Sequence, residues 1–307
     1  MRRAAQVLRD GITRKHRPNV IFLPHARAYA CGMKARFHLL AGLALAVSAL
    51  PSAAPAVDGA LHPQDAVQAS MLPGWRRDDG THITALRLTL APGWKTYWRV
   101  PGEGGIPPSF SWEGSENLAR VTARWPRPFA YRTNGLQSIG YTGELLLPLE
   151  MTPRDDDVPI HVEARIELGV CEDICMPVTL RLDTDLGTAG VEDPRIRRAL
   201  ADQPVSATAA GVSGATCRIT PIKNGLRITA RIGVAPLGGP KETVVFELAD
   251  PDIWVGEAET HREGGTLVAE TEFVSYAEGG IVLDRSRLRL TLLGDRQAVD
   301  IQGCPAE

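Results

Sequence analysis

The most regular stretch of the chain runs from Ile160 to Leu168, where Ile160, Val162, Ala164, Ile166 and Leu168 alternate with His161, Glu163, Arg165 and Glu167. That period of two predicts a strand with one buried face. A few residues on, Val178, Leu180 and Leu182 alternate with Thr179, Arg181 and Asp183, so a second strand leaves as the first arrives. Shorter runs of the same texture, Leu86 to Leu90 and Glu144 to Leu149 before them and Leu226 to Ile232, Thr243 to Leu248, Thr266 to Phe273 and Leu288 to Leu292 after them, fall between Gly- and Pro-rich turns. The pattern predicts antiparallel β-sandwiches. Asp193 to Leu200 reads as a short helix with Asp193 as its cap and Pro194 at its first position. Pro204 to Gly214, rich in Ser, Ala, Thr and Gly, reads as a linker. The expected fold class is therefore all-β, with a first sandwich over residues 57–187, a short helix and linker over 188–214 and a second sandwich over 215–307.

The first 56 residues follow another pattern. Met33-Lys34-Ala35-Arg36 is a short basic region, Leu39 to Leu50 is mostly apolar, and Ala54-Pro55-Ala56 is a run of small residues of the kind cut by a signal peptidase. Together they predict a secretory signal peptide with translation starting at Met33; a longer basic leader, also removed, is the alternative. The apolar run is shorter than the roughly 20 residues that a membrane-spanning helix needs. On either reading Cys31 is lost and the mature chain starts near Val57.

Removing the leader changes the charge. Nine of the 34 Lys/Arg and one of the 36 Asp/Glu lie in residues 1–56, which leaves 25 basic against 35 acidic residues. A mature chain near −10 argues against nucleic acid or an anionic membrane as partner. With no other apolar run of 18 residues, an exported protein without a membrane span is expected, in a compartment where disulfides persist.

Four cysteines then remain. Cys171 and Cys175 stand where the two long strands meet, separated by Glu172-Asp173-Ile174. Opposed residues of an antiparallel pair have Cα atoms about 4.5 to 5.5 Å apart, within the span of about 4.4 to 6.8 Å that disulfides use. A reversible bond at the neck of a hairpin is thus easy to make. A helix with both thiols on one face is disfavoured by Pro177, which pushes Met176 out of the α region. The pair has the composition for thiol-disulfide exchange, one cysteine forming a mixed disulfide and the other resolving it. Glu172 and Asp173 disfavour a thiolate, and the loop holds no Lys, Arg or His to offset them, so the thiols are expected to react mainly inside a docked complex, attacked by a partner's low-pKa cysteine. Cys217 and Cys304 bracket the second sandwich and read as a structural disulfide.

Three other readings compete. A purely structural Cys171–Cys175 bond closes a small loop and stabilises little on the chain-entropy model. Copper would find soft ligands in the two cysteines and Met176, with His161 upstream, but His161 falls on the polar side of its strand. A non-catalytic β-sandwich binding module is the third. No paired carboxylates, Ser/His/Asp set or phosphate loop stands out; Gly102-Glu103-Gly104-Gly105 opens no helix and is no nucleotide fingerprint.

Four blocks occur in a telling order: Gly93 to Trp112 (GWKTYWRVPGEGGIPPSFSW), Arg124 to Tyr131 (RWPRPFAY), Gly140 to Leu149 (GYTGELLLPL) and Glu167 to Leu180 (ELGVCEDICMPVTL). Over roughly residues 65 to 186 this order resembles the amino-terminal periplasmic domain of the thiol:disulfide interchange protein DsbD, in the variant of the ScsB-type reductases. The second domain resembles the additional β-sandwich of the ScsB-type proteins more loosely. The resemblance implies an immunoglobulin-like sandwich in the periplasm whose cysteine pair, Cys171 and Cys175, takes electrons from a membrane electron-transfer protein or thioredoxin-like domain and reduces disulfide-containing periplasmic proteins, with no bound cofactor or metal. It also implies that Phe129 and Tyr131 sit on a cap loop that shields the pair, and it favours Cys175 as the sulfur that forms mixed disulfides. Two departures matter: the cysteine spacing is narrower than in DsbD, and the family's transmembrane segment and carboxy-terminal thioredoxin-like domain are not in this chain.

Overall fold

The computed structural model describes residues 63–133, 135–250, 252–275 and 280–307; the expected leader and Cys31 lie outside them. After one helical turn, α1 (Pro63–Ala66), the first half forms β1 (Val67–Arg76), β2 (His82–Leu90), β3 (Lys95–Tyr97), β4 (Ser109–Ser111), β5 (Leu118–Ala123), β6 (Phe129–Thr133), β7 (Leu136–Thr142), β8 (Glu144–Pro153), β9 (Ile160–Cys171) and β10 (Cys175–Leu186). One sheet has the order β1-β2-β8-β5, and the sheet that faces it has the order β10-β9-β3-β7-β6 with β4 added against β9. Both are antiparallel throughout. The alternation along β9 is realised as written: Ile160, Val162, Ala164, Ile166 and Leu168 are all buried against the opposite sheet.

The connecting helix α2 (Pro194–Ala201) starts as its sequence predicts, with the Asp193 carboxylate accepting the Arg195 N–H and Pro194 in the first turn. It buries Ile196 on the outer side of the β1-β2-β8 sheet, against Leu72, Trp75, Ile83 and Ala85, a burial that contributes roughly 1.5 to 3 kcal/mol for a side chain of this size. Because helix covers one face of β2 and core the other, His82 to Leu86 is buried without alternation. His82 is fully enclosed there. Its Nε2–H donates to the Pro73 carbonyl at 2.7 Å, and its Nδ1 has no partner among the described residues.

The second sandwich comprises β11 (Val205–Ser206), β12 (Gly214–Ile222), β13 (Gly225–Gly233), β14 (Thr243–Glu247), β15 (Ile253–Val255), β16 (Glu259–Glu263), β17 (Thr266–Ser275), β18 (Arg289–Leu293) and β19 (Ala298–Gln302). Its sheets run β11-β19-β18-β14 and β12-β13-β17-β15, with β16 also against β17. The stretch read as a linker is ordered: β11 pairs with β19, the one parallel pairing among the described strands, and the Ala207 and Val212 N–H groups are bonded. Two residues of strand are too short to show a period. Cys217 and Cys304, each 1% exposed, are bonded across a Cα separation of 5.5 Å.

The sandwiches meet through both apolar and charged contacts. Val245, Leu293 and Ala298 join the core of the first sandwich. Arg99 lies over Trp98, 3.9 Å from the ring centre, and donates two bonds of 2.9 and 2.7 Å to the Glu247 carboxylate. Arg132 pairs with Glu257. Between the outer edge of β6 and the segment around Pro240, Lys241 and Leu293 lies a groove of about 590 Å³; β6 is the last strand of its sheet and bonds only to β7.

Candidate functional site

The β9–β10 hairpin brings Cys171 and Cys175 into direct register at its neck, with Cα atoms 4.1 Å apart and the sulfurs bonded. The two ends differ. Cys171 is 2% exposed, whereas Cys175 is exposed, as are Glu172, Asp173 and Ile174. Pro177 sits in β10 opposite Gly169, where its missing N–H costs no helix and the strand stays extended.

Strand β3 supplies what the loop lacks. Lys95 pairs in register with Cys171, so its side chain leaves the sheet on the face that carries the cysteines. Its ammonium reaches the Gly93 carbonyl at 3.5 Å and stands 5.7 Å from the centre of the Tyr131 ring. Two residues on, Tyr97 is almost fully buried. Its hydroxyl lies 3.1 Å from Cys175 Sγ and donates to the Gly104 carbonyl at 3.3 Å. Burial pushes its pKa up, so it is a protonated donor at neutral pH. Thr96, on the opposite face, donates to the Gly169 carbonyl at 2.9 Å and pins β3 to β9.

Gly169 is what lets Tyr97 reach the sulfur. A Cβ there would come within 2.9 Å of two Tyr97 ring carbons and 2.7 Å of Ile106 Cβ. The ring therefore lies across the bare backbone of β9, and the turn Pro101 to Ile106 lies over the ring: a Cβ on Gly105 would be 2.7 Å from the ring's other side. Cys175 and its neighbour Ile174 are both exposed.

Phe129 and Tyr131 are not on a loop. The run Phe-Ala-Tyr-Arg-Thr pairs residue for residue with β7 as β6, because Pro126 and Pro128 lie before it and interrupt nothing inside it. The two aromatics stack on each other, 5.3 Å between ring centres, and the Tyr131 ring borders Lys95, which is in register with Cys171. Burial, then the neighbouring Tyr97, holds the Tyr131 phenol well above its ordinary pKa. Tyr97, beside Cys175, and the Gly-rich turn against its ring were legible only as a core aromatic and a turn; their signal is the Lys-Thr-Tyr strand running straight into Pro-Gly-Glu-Gly-Gly.

The soft-ligand set is dispersed. Met176 packs on the core side of β10, the opposite face from Cys175. His161 pairs with Asp185 at the far end of the hairpin from Cys171. Its Nδ1 is 2.8 Å from Asp185, and its Nε2 is 3.7 Å from Glu163 and 3.8 Å from Asp183. The ligand atoms of His161, Glu163 and Asp183 lie within 4.8 Å of one another, at the end of the hairpin away from the cysteines, and the contact with Asp185, foremost, raises the pKa of this half-exposed imidazole.

Two packed antiparallel sheets with a cysteine pair at the neck of a hairpin define an immunoglobulin-like domain with a disulfide on its rim. Residues 59–186 match the family model for thiol:disulfide interchange protein DsbD, N-terminal, and this part of the chain is a DsbD-type amino-terminal domain. Among solved structures, the N-terminal periplasmic domain of ScsB from Proteus mirabilis superposes with a TM-score of 0.60 at 22% identity, over 78% of this chain and 93% of that one; the likeness is one of fold, and it extends beyond residue 186. The DsbD N-terminal domain of Neisseria meningitidis in its reduced form aligns over 43% of this chain and 90% of that one at 17% identity, with a TM-score of 0.26, too low to carry an argument. No curated protein matches the chain by sequence. No helix among the described residues is long and apolar enough to cross a membrane.

Proposed function

We propose that the chain is a periplasmic thiol-disulfide exchange protein whose working pair is Cys171 and Cys175. A thiolate of a reduced thioredoxin-like partner, itself supplied by a membrane electron-transfer protein, attacks Cys175 Sγ; the Cys171–Cys175 bond breaks, and Cys171 leaves as a thiolate and takes a proton. The partner's second thiol then displaces Cys175, so that the partner leaves oxidised and the pair reduced. The reduced pair passes its two electrons to the disulfide of a periplasmic client by the same steps in reverse. The thiols do the chemistry themselves, with no bound cofactor.

The observation that carries this reading is the asymmetry of the pair. Cys175 is exposed and Cys171 buried, so the incoming sulfur meets Cys175 and expels Cys171. Each sulfur has a group suited to its part: the Tyr97 hydroxyl beside Cys175 and Lys95 in register with Cys171, a cation that favours the departing thiolate. Cys217 and Cys304, both buried, act as a staple outside the exchange.

Thiol trapping in glutathione buffers, scoring the two pairs separately, tests the proposal. A potential for Cys171–Cys175 between roughly −120 and −270 mV is expected for an exchange protein, and one below about −300 mV would mark the bond as structural and overturn it. Cys171→Ser should trap a mixed disulfide on Cys175 and Cys175→Ser should trap none.

A further inference from the structure

The turn over Tyr97 is held from the second sandwich. The Glu103 carboxylate accepts the Glu257 backbone N–H at 3.1 Å, and the Gln137 side-chain amide donates to the Glu257 carboxylate at 3.0 Å. On the first sandwich the turn hangs from β7 by two backbone bonds, Ile139 N–H to the Pro101 carbonyl at 2.8 Å and Gly104 N–H to the Gln137 carbonyl at 3.3 Å. Gly102, Gly104 and Gly105 make up half of its six residues. Such a segment has little side-chain packing to fix it and the largest conformational freedom to lose. Glu103 is its one charged residue, and it reaches the other sandwich.

A continuous series of contacts follows: the Glu257 N–H, the Glu103 side chain, the adjoining Gly104 carbonyl, the Tyr97 hydroxyl and Cys175 Sγ. We propose that Glu103 is a positioning residue through which the second sandwich holds the Pro101–Ile106 turn down on Tyr97, limiting approach to Cys175 and fixing the Gly104 carbonyl that competes with the sulfur for the Tyr97 proton. The proposal rests on the reading of Cys171–Cys175 as the exchanging pair, and it gives the second sandwich a part in controlling that pair.

The experiment compares the oxidised full chain with Glu103→Ala and Glu103→Gln, measuring the rate at which dithiothreitol reduces Cys171–Cys175, with Cys217–Cys304 as an internal reference and the thermal midpoint as a control. Loss of one hydrogen bond should speed reduction by about five-fold in Glu103→Ala. Glu103→Gln loses the charge but keeps an acceptor oxygen for the Glu257 N–H, and should stay near the wild-type rate. Wild-type behaviour of Glu103→Ala overturns the proposal. So does an equal gain in Glu103→Gln, which would mean repulsion of the reagent, and so does a parallel gain at Cys217–Cys304 with a lowered midpoint, which would mean general loosening. Because the reagent is a small dithiol, the ordering of rates stands or falls independently of the potential: a pair below about −300 mV would remove the exchange function and leave the holding of the turn still measured.

Discussion

The two disulfides have the same covalent chemistry and opposite settings. Cys171–Cys175 spans a sequence separation of 4 and has one exposed end; Cys217–Cys304 spans 87 and has none. On the chain-entropy model the first loop closure is worth about 2 kcal/mol to the fold and the second about 4.5 kcal/mol. Surroundings follow the same division. A phenol hydroxyl and a lysine stand by the hairpin pair, whereas the staple is ringed by apolar core, with the Arg285 guanidinium donating to the Cys217 carbonyl at 2.7 Å rather than approaching a sulfur. On the proposed assignment, what separates a bond for use from a bond for strength is which sulfur a second molecule can reach and how much chain entropy the bond removes.

The sharpest way to break that comparison is to exchange the phenotypes. Cys175→Ser should abolish disulfide exchange in a partner-reduction assay while moving the urea midpoint little. Cys217→Ala with Cys304→Ala should lower unfolding free energy by about 4 to 5 kcal/mol and leave the exchange rate per folded molecule unchanged. If the hairpin variant is the one that unfolds, the assignment of roles is inverted.

A smaller effect is expected at Gly169. Its replacement by Ala puts a methyl against Tyr97 and Ile106, an overpacking that costs typically 1 to 3 kcal/mol; it should also lift the turn and raise the rate of Cys175 alkylation in the reduced protein, read by mass spectrometry. Tyr97→Phe leaves the ring and removes the hydroxyl. It should raise the pKa of the reduced Cys175 thiol, seen as a shift of the alkylation pH profile to higher pH, with no change at Cys217 or Cys304.

The smallest effect concerns acid. Burial, ahead of the neighbouring Arg76 charge, depresses the pKa of His82 below the ordinary 6.5. The unfolded chain therefore binds this proton more readily than the folded one, so stability falls as pH drops below about 6.5 and levels off under the folded value. His161, with its raised pKa, has the opposite sign and is screened at the surface. Urea midpoints between pH 5 and 7.5 in a His161→Asn background should show the His82 slope, and a flat profile would refute it.

The hairpin was legible because β9 and β10 are long and keep one face buried, so that the period of two survives in the sequence, and because two cysteines with three residues between them permit few geometries at its neck. Other elements left no such trace. β3, β4 and β15 have three residues each, fewer than two periods. β2 lost its alternation where α2 covers its outer face. Lys95 and Tyr97 stand more than 70 residues before the sulfurs they attend, and only the register of β3 with β9 brings them there. The proline-flanked Phe129 to Tyr131 run reads as loop from its neighbours, yet its own alternation of aromatic and small residues makes strand β6.

That edge strand carries a consequence for solubility. An unpaired edge is a template on which another chain can add, and β6 offers Phe129, 40% exposed, along with its free backbone groups. Across the groove the second sandwich stands as a wall, with Pro240 and Lys241 on its near side, residue types that discourage strand addition. Cut from its neighbour, the first sandwich would keep its cysteines and lose its fence, and should self-associate at concentrations where the full chain stays dispersed.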